Sequence, residues 1–180
     1  ITKDPEKTLD AILADGRKAE TLNPENPLAL LGIAKCYFFR GDHSTALDYA
    51  QRAVQFNPSF ALSFYQQGLV QVHIGEYQHG ESSILKAFEL SPADPELMYF
   101  HGLLYFACLG QGRYEEALVA IDKALRQHKL GLMLGFRAAV LGHLERGSEA
   151  KAALDRYLAL RPNLKTRDDY RRIFVPNSAL

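Results

Sequence analysis

Three prolines recur at one spacing. "LNP" at 22–24, "FNP" at 56–58 and "LSP" at 90–92 stand 34 residues apart, and "LRP" at 160–162 follows 70 residues later, two periods plus two. A period of this size implies stacked supersecondary units, each able to bury its apolar face only against its neighbours. Each proline closes an apolar run with helical spacing, as expected where a helix must stop. Small residues keep the same beat. Ala46, Gly80, Ala117 and Ala150 each open a second helix, and Ala19, Ala53, Ala87 and Ala124 lie seven residues beyond the equivalent point. Small side chains at fixed places let two helix backbones approach, while large neighbours three and four positions away fill the gaps between ridges.

The stretch "CLGQGRYEEA" at 108–117 raises a choice between a phosphate-cradling loop and a plain turn. Its counterparts decide for the turn. Gly41 and Gly75 are the turn glycines of two earlier units and Gly112 is the third. The distance from proline to the opening small residue is 22 residues for Pro24 to Ala46 and Pro58 to Gly80, but 25 for Pro92 to Ala117. The expectation is that "LGQ" is inserted in the inter-helix turn of this unit and that one residue is lost in "RQHKLGLM".

These residues resemble the tetratricopeptide (TPR) repeats. The second unit carries Leu30, Ile33, Ala34, Tyr37, Ala46, Ala53 and Pro58, and the third carries Phe64, Gly68, Ile84, Ala87 and Pro92. The fourth has Met98, Gly102, Tyr105, Ala117, Ile121 and Ala124 without a closing proline. The last has Leu134, Ala138, Leu141, Ala150, Leu154 and Pro162, with Tyr157 in place of the second Ala. Gln67 and Gln71 occupy positions that are usually apolar. The resemblance implies an all-α fold, a right-handed superhelix of antiparallel helix pairs. A partial repeat at 5–24 would precede repeats at 25–58, 59–92, 93–129 and 130–162, with a capping tail at 163–180, all in one domain. In that tail Leu164, Tyr170, Ile173 and Phe174 have helical spacing and would cover the open end of the array.

The resemblance also implies a job. In such arrays the first helices line a concave groove that takes a partner segment. By register the groove receives Leu31, Lys35 and Phe38 from the second unit, Tyr65, Leu69 and Val72 from the third, and Tyr99, Leu103 and Phe106 from the fourth. The occupant would be a protein or peptide segment, with the chain's own terminal helix as a competitor. Core burial of the same residues is the other reading. The subclass that grips chaperone C-termini with a Lys and Asn clamp is set aside, because Gln66, Gln67 and Leu69 stand where an Asn is wanted.

Composition narrows the classes further. Lys plus Arg and Asp plus Glu are 21 each, so no overall field draws in nucleic acid or anionic membrane. The C-terminal residues 131–180 hold 9 basic and 5 acidic residues, a local excess of about +4. Cys36 and Cys108 lie far apart inside apolar runs, as buried free thiols in a reducing cytoplasm would. No apolar run approaches the ~18 residues of a membrane span. None of the six histidines pairs with another at i, i+4 or sits near a cysteine at ligand spacing; His73 and His101 fall on first helices. No nucleophile-base pair emerges, and the chain is read as a non-enzyme without metal or cofactor. A homo-oligomer stays open.

The chain begins at Ile1 and is read as a piece of a larger protein. The passage "LDRYLALRPNLKTRDDYRRIFVPNSAL" resembles the end of TPR regions in bacterial regulators, where the array follows a class III nucleotide cyclase or a winged-helix domain. This implies the sensor or assembly part of a bacterial signalling or transcriptional regulator. The alternatives are the regulatory region of the cyclase and a free-standing chaperone or secretion-type adaptor.

Overall fold

The computed structural model describes residues 4–127 and 131–161. Among them every regular element is a helix. In chain order these are α1 (Pro5–Leu22), α2 (Pro27–Phe39), α3 (His43–Phe56), α4 (Ala61–His73), α5 (Tyr77–Leu90), α6 (Leu97–Gly110), α7 (Tyr114–Gln127), α8 (Gly131–His143) and α9 (Gly147–Ala159). α2 with α3, α4 with α5, α6 with α7 and α8 with α9 form tightly packed pairs, and each pair then packs on the next.

Local chemistry sets the helix ends. Asp4, Asn26 and Asp42 cap α1, α2 and α3 with side-chain oxygens that accept backbone N–H bonds of the first turn. Gly41, Gly75 and Gly112 sit at φ of 79°, 86° and 73°. Beyond each, a backbone N–H returns to the last turn: Asp42 N to Tyr37 O at 3.0 Å, Glu76 N to Gln71 O at 2.9 Å and Arg113 N to Cys108 O at 2.9 Å. This is the glycine helix stop that the sequence led us to expect. The last unit, α8 with α9, uses the same turn without glycine. Glu145 takes φ 57°, and Arg146 N reaches Leu141 O at 3.0 Å.

The three extra residues of the fourth unit are not in its inter-helix turn. Gln111–Arg113 joins α6 to α7 with the same length as Arg40–Asp42 and Ile74–Glu76. Instead α6 begins five residues after Pro92, where α4 begins three after Pro58, and α6 is one residue longer than α4. The cause is Pro95, which keeps Asp94 out of the helical region. The Asp94 carboxylate accepts bonds from the Ser91 hydroxyl at 3.0 Å and Glu96 N at 2.8 Å, forming an extra turn. The extra residue also shifts Gly102. A β-carbon there would meet Met133 of α8 at 3.2 Å rather than the unit's own second helix.

The small residues are close-packing points. Ala46, Ala53, Ala87, Ala117 and Ala124 are fully buried. A β-carbon on Gly68 would stand 3.0 Å from the Gly80 carbonyl oxygen, and one on Gly80 would stand 2.6 Å from Val72. Gln71 is buried because its side-chain oxygen accepts the Ser83 hydroxyl at 2.7 Å, so one polar pair replaces an apolar contact. α1 is held by an ion-aromatic lattice. The Arg17 guanidinium lies 5.1 Å from the Tyr49 ring, donates to the hydroxyls of Tyr49 and Tyr37, and pairs with Glu20 at 2.9 Å, while Arg52 binds the other Glu20 oxygen at 2.9 Å. The expected tail at 163–180, with Leu164, Tyr170, Ile173 and Phe174, lies outside the described residues.

Candidate functional site

Helix contacts identify the inner face. α2 touches α4 and α4 touches α6, whereas no comparable contact joins successive second helices. The first helices therefore run on the tighter radius, and their outward-facing residues line the concave side.

Along this face α2 presents exposed Lys35 and half-buried Leu31 and Phe38. Its strongest exposures are Leu28 and Phe39, at 64% and 63%, which the groove register passed over. On α4, Tyr65 and Leu69 are half-buried. On α6, Tyr99 and Phe106 are exposed. Val72 and Leu103 differ from the others. At 7% and 4% exposure they belong to a core cluster with Ile84 and Ala107, and Tyr65 and Leu69 pack over them. These two form the floor beneath the row, and their neighbours Tyr65 and Leu69 stand between them and solvent.

Aromatic contacts join the helices across the face. The Phe38 ring meets His73 of α4 edge-on at 4.6 Å, with His43 at 5.4 Å from Phe38 and 6.2 Å from His73. Tyr65 stacks on buried Phe100 at 5.1 Å. Phe106 contacts Phe136 of α8 at 4.9 Å, and Tyr105 stacks on Phe136 at 5.5 Å and donates to its carbonyl at 3.1 Å. Phe136 was not singled out by register, because its partner lies a full unit away.

The electrostatics are one-sided. α2, α4, α6 and α8 contain no Asp or Glu. Their only permanent cations are Lys35 and Arg137, and Arg137 is tied to Asp122 at 2.7 Å. Lys35 has no ion pair among the described residues. Burial pushes the Tyr65 phenol up to about 12, helped by Glu96 and Tyr99, so it stays neutral. His73 is lowered by burial and by His43, and His101 by burial and by Lys123. Burial also pushes the Cys108 thiol up to about 11, which removes the thiolate character a nucleophile needs. Among the described residues no group of three or more His, Cys, Asp or Glu is placed to hold a metal, and no helix is long and apolar enough to cross a membrane.

Paired helices, glycine stops and an inner face built from first helices define an array of stacked antiparallel helix pairs, the fold of tetratricopeptide-type superhelices. Residues 6–59 match the family model described as tetratricopeptide repeat. Among curated proteins the chain is 29% identical over 141 residues to anaphase-promoting complex subunit 3 of Schizosaccharomyces pombe, covering 77% of this chain and 20% of that protein. It spans about a quarter or less of the length of the curated relatives it matches. Among solved structures, MamA from Desulfovibrio magneticus superposes with a TM-score of 0.73 at 16% identity, over 88% of both chains. YrrB, described as a TPR protein with an unusual peptide-binding site, gives 0.68 at 20% identity, over 88% of this chain and 80% of that one. At these identities the structural matches establish the fold.

Proposed function

We propose that this array is a non-catalytic docking scaffold whose concave face takes an apolar segment of a partner protein. The observation that carries the reading is the exposure of Leu28, Phe39, Tyr99 and Phe106 on first helices that contain no acidic residue. Large apolar side chains left exposed are expensive in water and are what an interface core uses. The similarity to YrrB, described as having a peptide-binding site, and to the Hsp70-Hsp90 organizing protein 2 of Arabidopsis thaliana supports a peptide or protein as the ligand. The array would act without nucleic acid or membrane contact of its own. Its place in a bacterial signalling or transcriptional regulator rests on the tail resemblance alone.

Tyr99 is the cleaner probe and Tyr65 the coarser one, since Tyr65 also stacks on core Phe100. A partner captured by the wild-type chain is identified and titrated against Tyr99→Ala and Phe39→Ala. Each should weaken binding by more than about 1 kcal/mol with little change in melting temperature. Unchanged affinity for both variants would remove the concave face as the docking site.

A further inference from the structure

We propose that the cavity where α7, α8 and α9 meet binds an organic phosphate monoester, its phosphate on arginines and its apolar body on leucines. The site is separate from the docking face, since none of the residues named there lines it.

The cavity measures about 650 Å³, within the ~300–1,000 Å³ of ordinary ligand sites. Its charged walls are Arg126 of α7, Arg137 of α8 and Arg156 of α9, against one carboxylate, Asp122. That carboxylate already accepts from Arg137 Nε at 2.7 Å. Arg126 and Arg156 are exposed and form no ion pair among the described residues.

The positive surplus belongs to this end of the array. Counting from Gly80 and Ala117, Lys86 and Glu89 of α5 correspond to Lys123 and Arg126 of α7. Lys86 pairs with Glu89 at 2.9 Å, which neutralises that helix end. In α7 an arginine replaces the acid. In α9 the cation is Arg156, and Ala159 stands at the acid's place. The negative helix ends offset the surplus only in part, because each carries about half a charge. The basic excess of residues 131–180 thus places Arg137 and Arg156 in one concavity, where the field on an anion is focused.

All three cations are arginines, whose planar forks fit oxyanions. One fork occupies both oxygens of a carboxylate, whereas a phosphate monoester offers three and can serve guanidiniums from two helices. Leu125, Leu134 and Leu160 complete the walls. An apolar body covers them and gains burial that a bare inorganic ion lacks.

The test titrates the whole chain with phenyl phosphate, inorganic phosphate, benzoate and phenol, read by heteronuclear NMR at neutral pH and low salt. Saturable shifts are expected at Leu125, Leu134 and Leu160, with phenyl phosphate bound at least about fivefold more tightly than the other three. Arg126→Gln and Arg156→Gln, both at exposed positions and checked for fold by circular dichroism, should each weaken it about threefold or more. Lys35→Gln, on the docking face, should leave it unchanged. The proposal is overturned by no saturable shift, by any of the other three probes binding as tightly as phenyl phosphate, or by arginine variants that lose no more affinity than Lys35→Gln. N-acetyl-phosphotyrosine amide separates the two sources of such a group. Binding as tight as that of phenyl phosphate supports a phosphorylated side chain of another protein, and weaker binding supports a free small molecule.

Discussion

Tyr77, the first residue of α5, lies across the Cα of Gly110, the last residue of α6, with its ring carbons in the space a β-carbon would need. The contact spans two repeats and decides what each position tolerates. Gly110 has helical backbone, where glycine is intrinsically poor, and replacing such a glycine with alanine ordinarily gains up to about 1 kcal/mol. Here the sign should reverse. Gly110→Ala is expected to destabilise by about 1–3 kcal/mol through overpacking, and Gly110→Ala combined with Tyr77→Ala should show strong non-additivity in a denaturant double-mutant cycle. A stabilised Gly110→Ala would mean that the ring does not hold this place.

The turn between the two helices of each unit gives a second, opposite pair of expectations. Glu145 takes a left-handed backbone at φ 57° where Gly41, Gly75 and Gly112 serve the other units. A side chain in that region costs about 1–2 kcal/mol. Glu145→Gly should therefore raise the melting temperature, while Gly75→Ala should lower it by the same mechanism. Urea midpoints for both variants check this, and a destabilised Glu145→Gly would contradict it.

These two sites also mark how far the sequence could be read. The repeat placed Gly41, Gly75 and Gly112 at helix stops, 34 and then 37 residues apart, because a left-handed residue is a local demand that one residue type meets. The same spacing overlooked Glu145, since a non-glycine there leaves no signal. Gly110 looked like part of the turn, but its reason is Tyr77, more than thirty residues earlier. Gly102 matched the family position by counting, yet the turn at Asp94 and Pro95 and the longer α6 direct it toward Met133. In the candidate site, counting by register carried no information on depth. Val72 and Leu103 became floor because α4 and α6 touch there, and Leu28 and Phe39 stayed exposed at the ends of α2.

Acid should weaken the fold through His101. Its Nδ1 is buried without a hydrogen-bond partner among the described residues, its ring lies 4.7 Å from Phe88, and burial with the nearby Lys123 charge lowers its pKa. An unfolded histidine titrates near 6.5. The folded chain then binds fewer protons than the unfolded one below that pH, so stability present above about 6.5 is lost as pH falls toward the folded value. His73 is lowered in the same direction. Melting temperatures between about pH 7 and pH 5 should drop more steeply for the wild type than for His101→Leu. Parallel curves would show that His101 does not titrate in this window.

The last described helix, α9, carries exposed apolar side chains. Leu154, Leu158 and Leu160 are all exposed on or just beyond α9. Residues 163–180, expected from sequence to cap the array, lie outside the described residues and carry Leu164, Tyr170, Ile173 and Phe174. Ending the chain after Pro162 should lower the melting temperature or cause association, because burial of such residues contributes about 25 cal/mol per Å² before ordering entropy is subtracted. A truncated chain that melts at the parent temperature as a monomer would assign the basic tail to another task.

The central claim is that partners dock on the first-helix face. The direct measurement is to select the tightest peptide from a random display library on the whole chain and map its complex by NMR chemical shifts and intermolecular NOEs. The account predicts contacts at Lys35, Phe38, Leu69, Tyr99 and Phe106, on α2, α4 and α6. Contacts at Leu85 of α5 and Val119 of α7, both exposed on second helices, would contradict it.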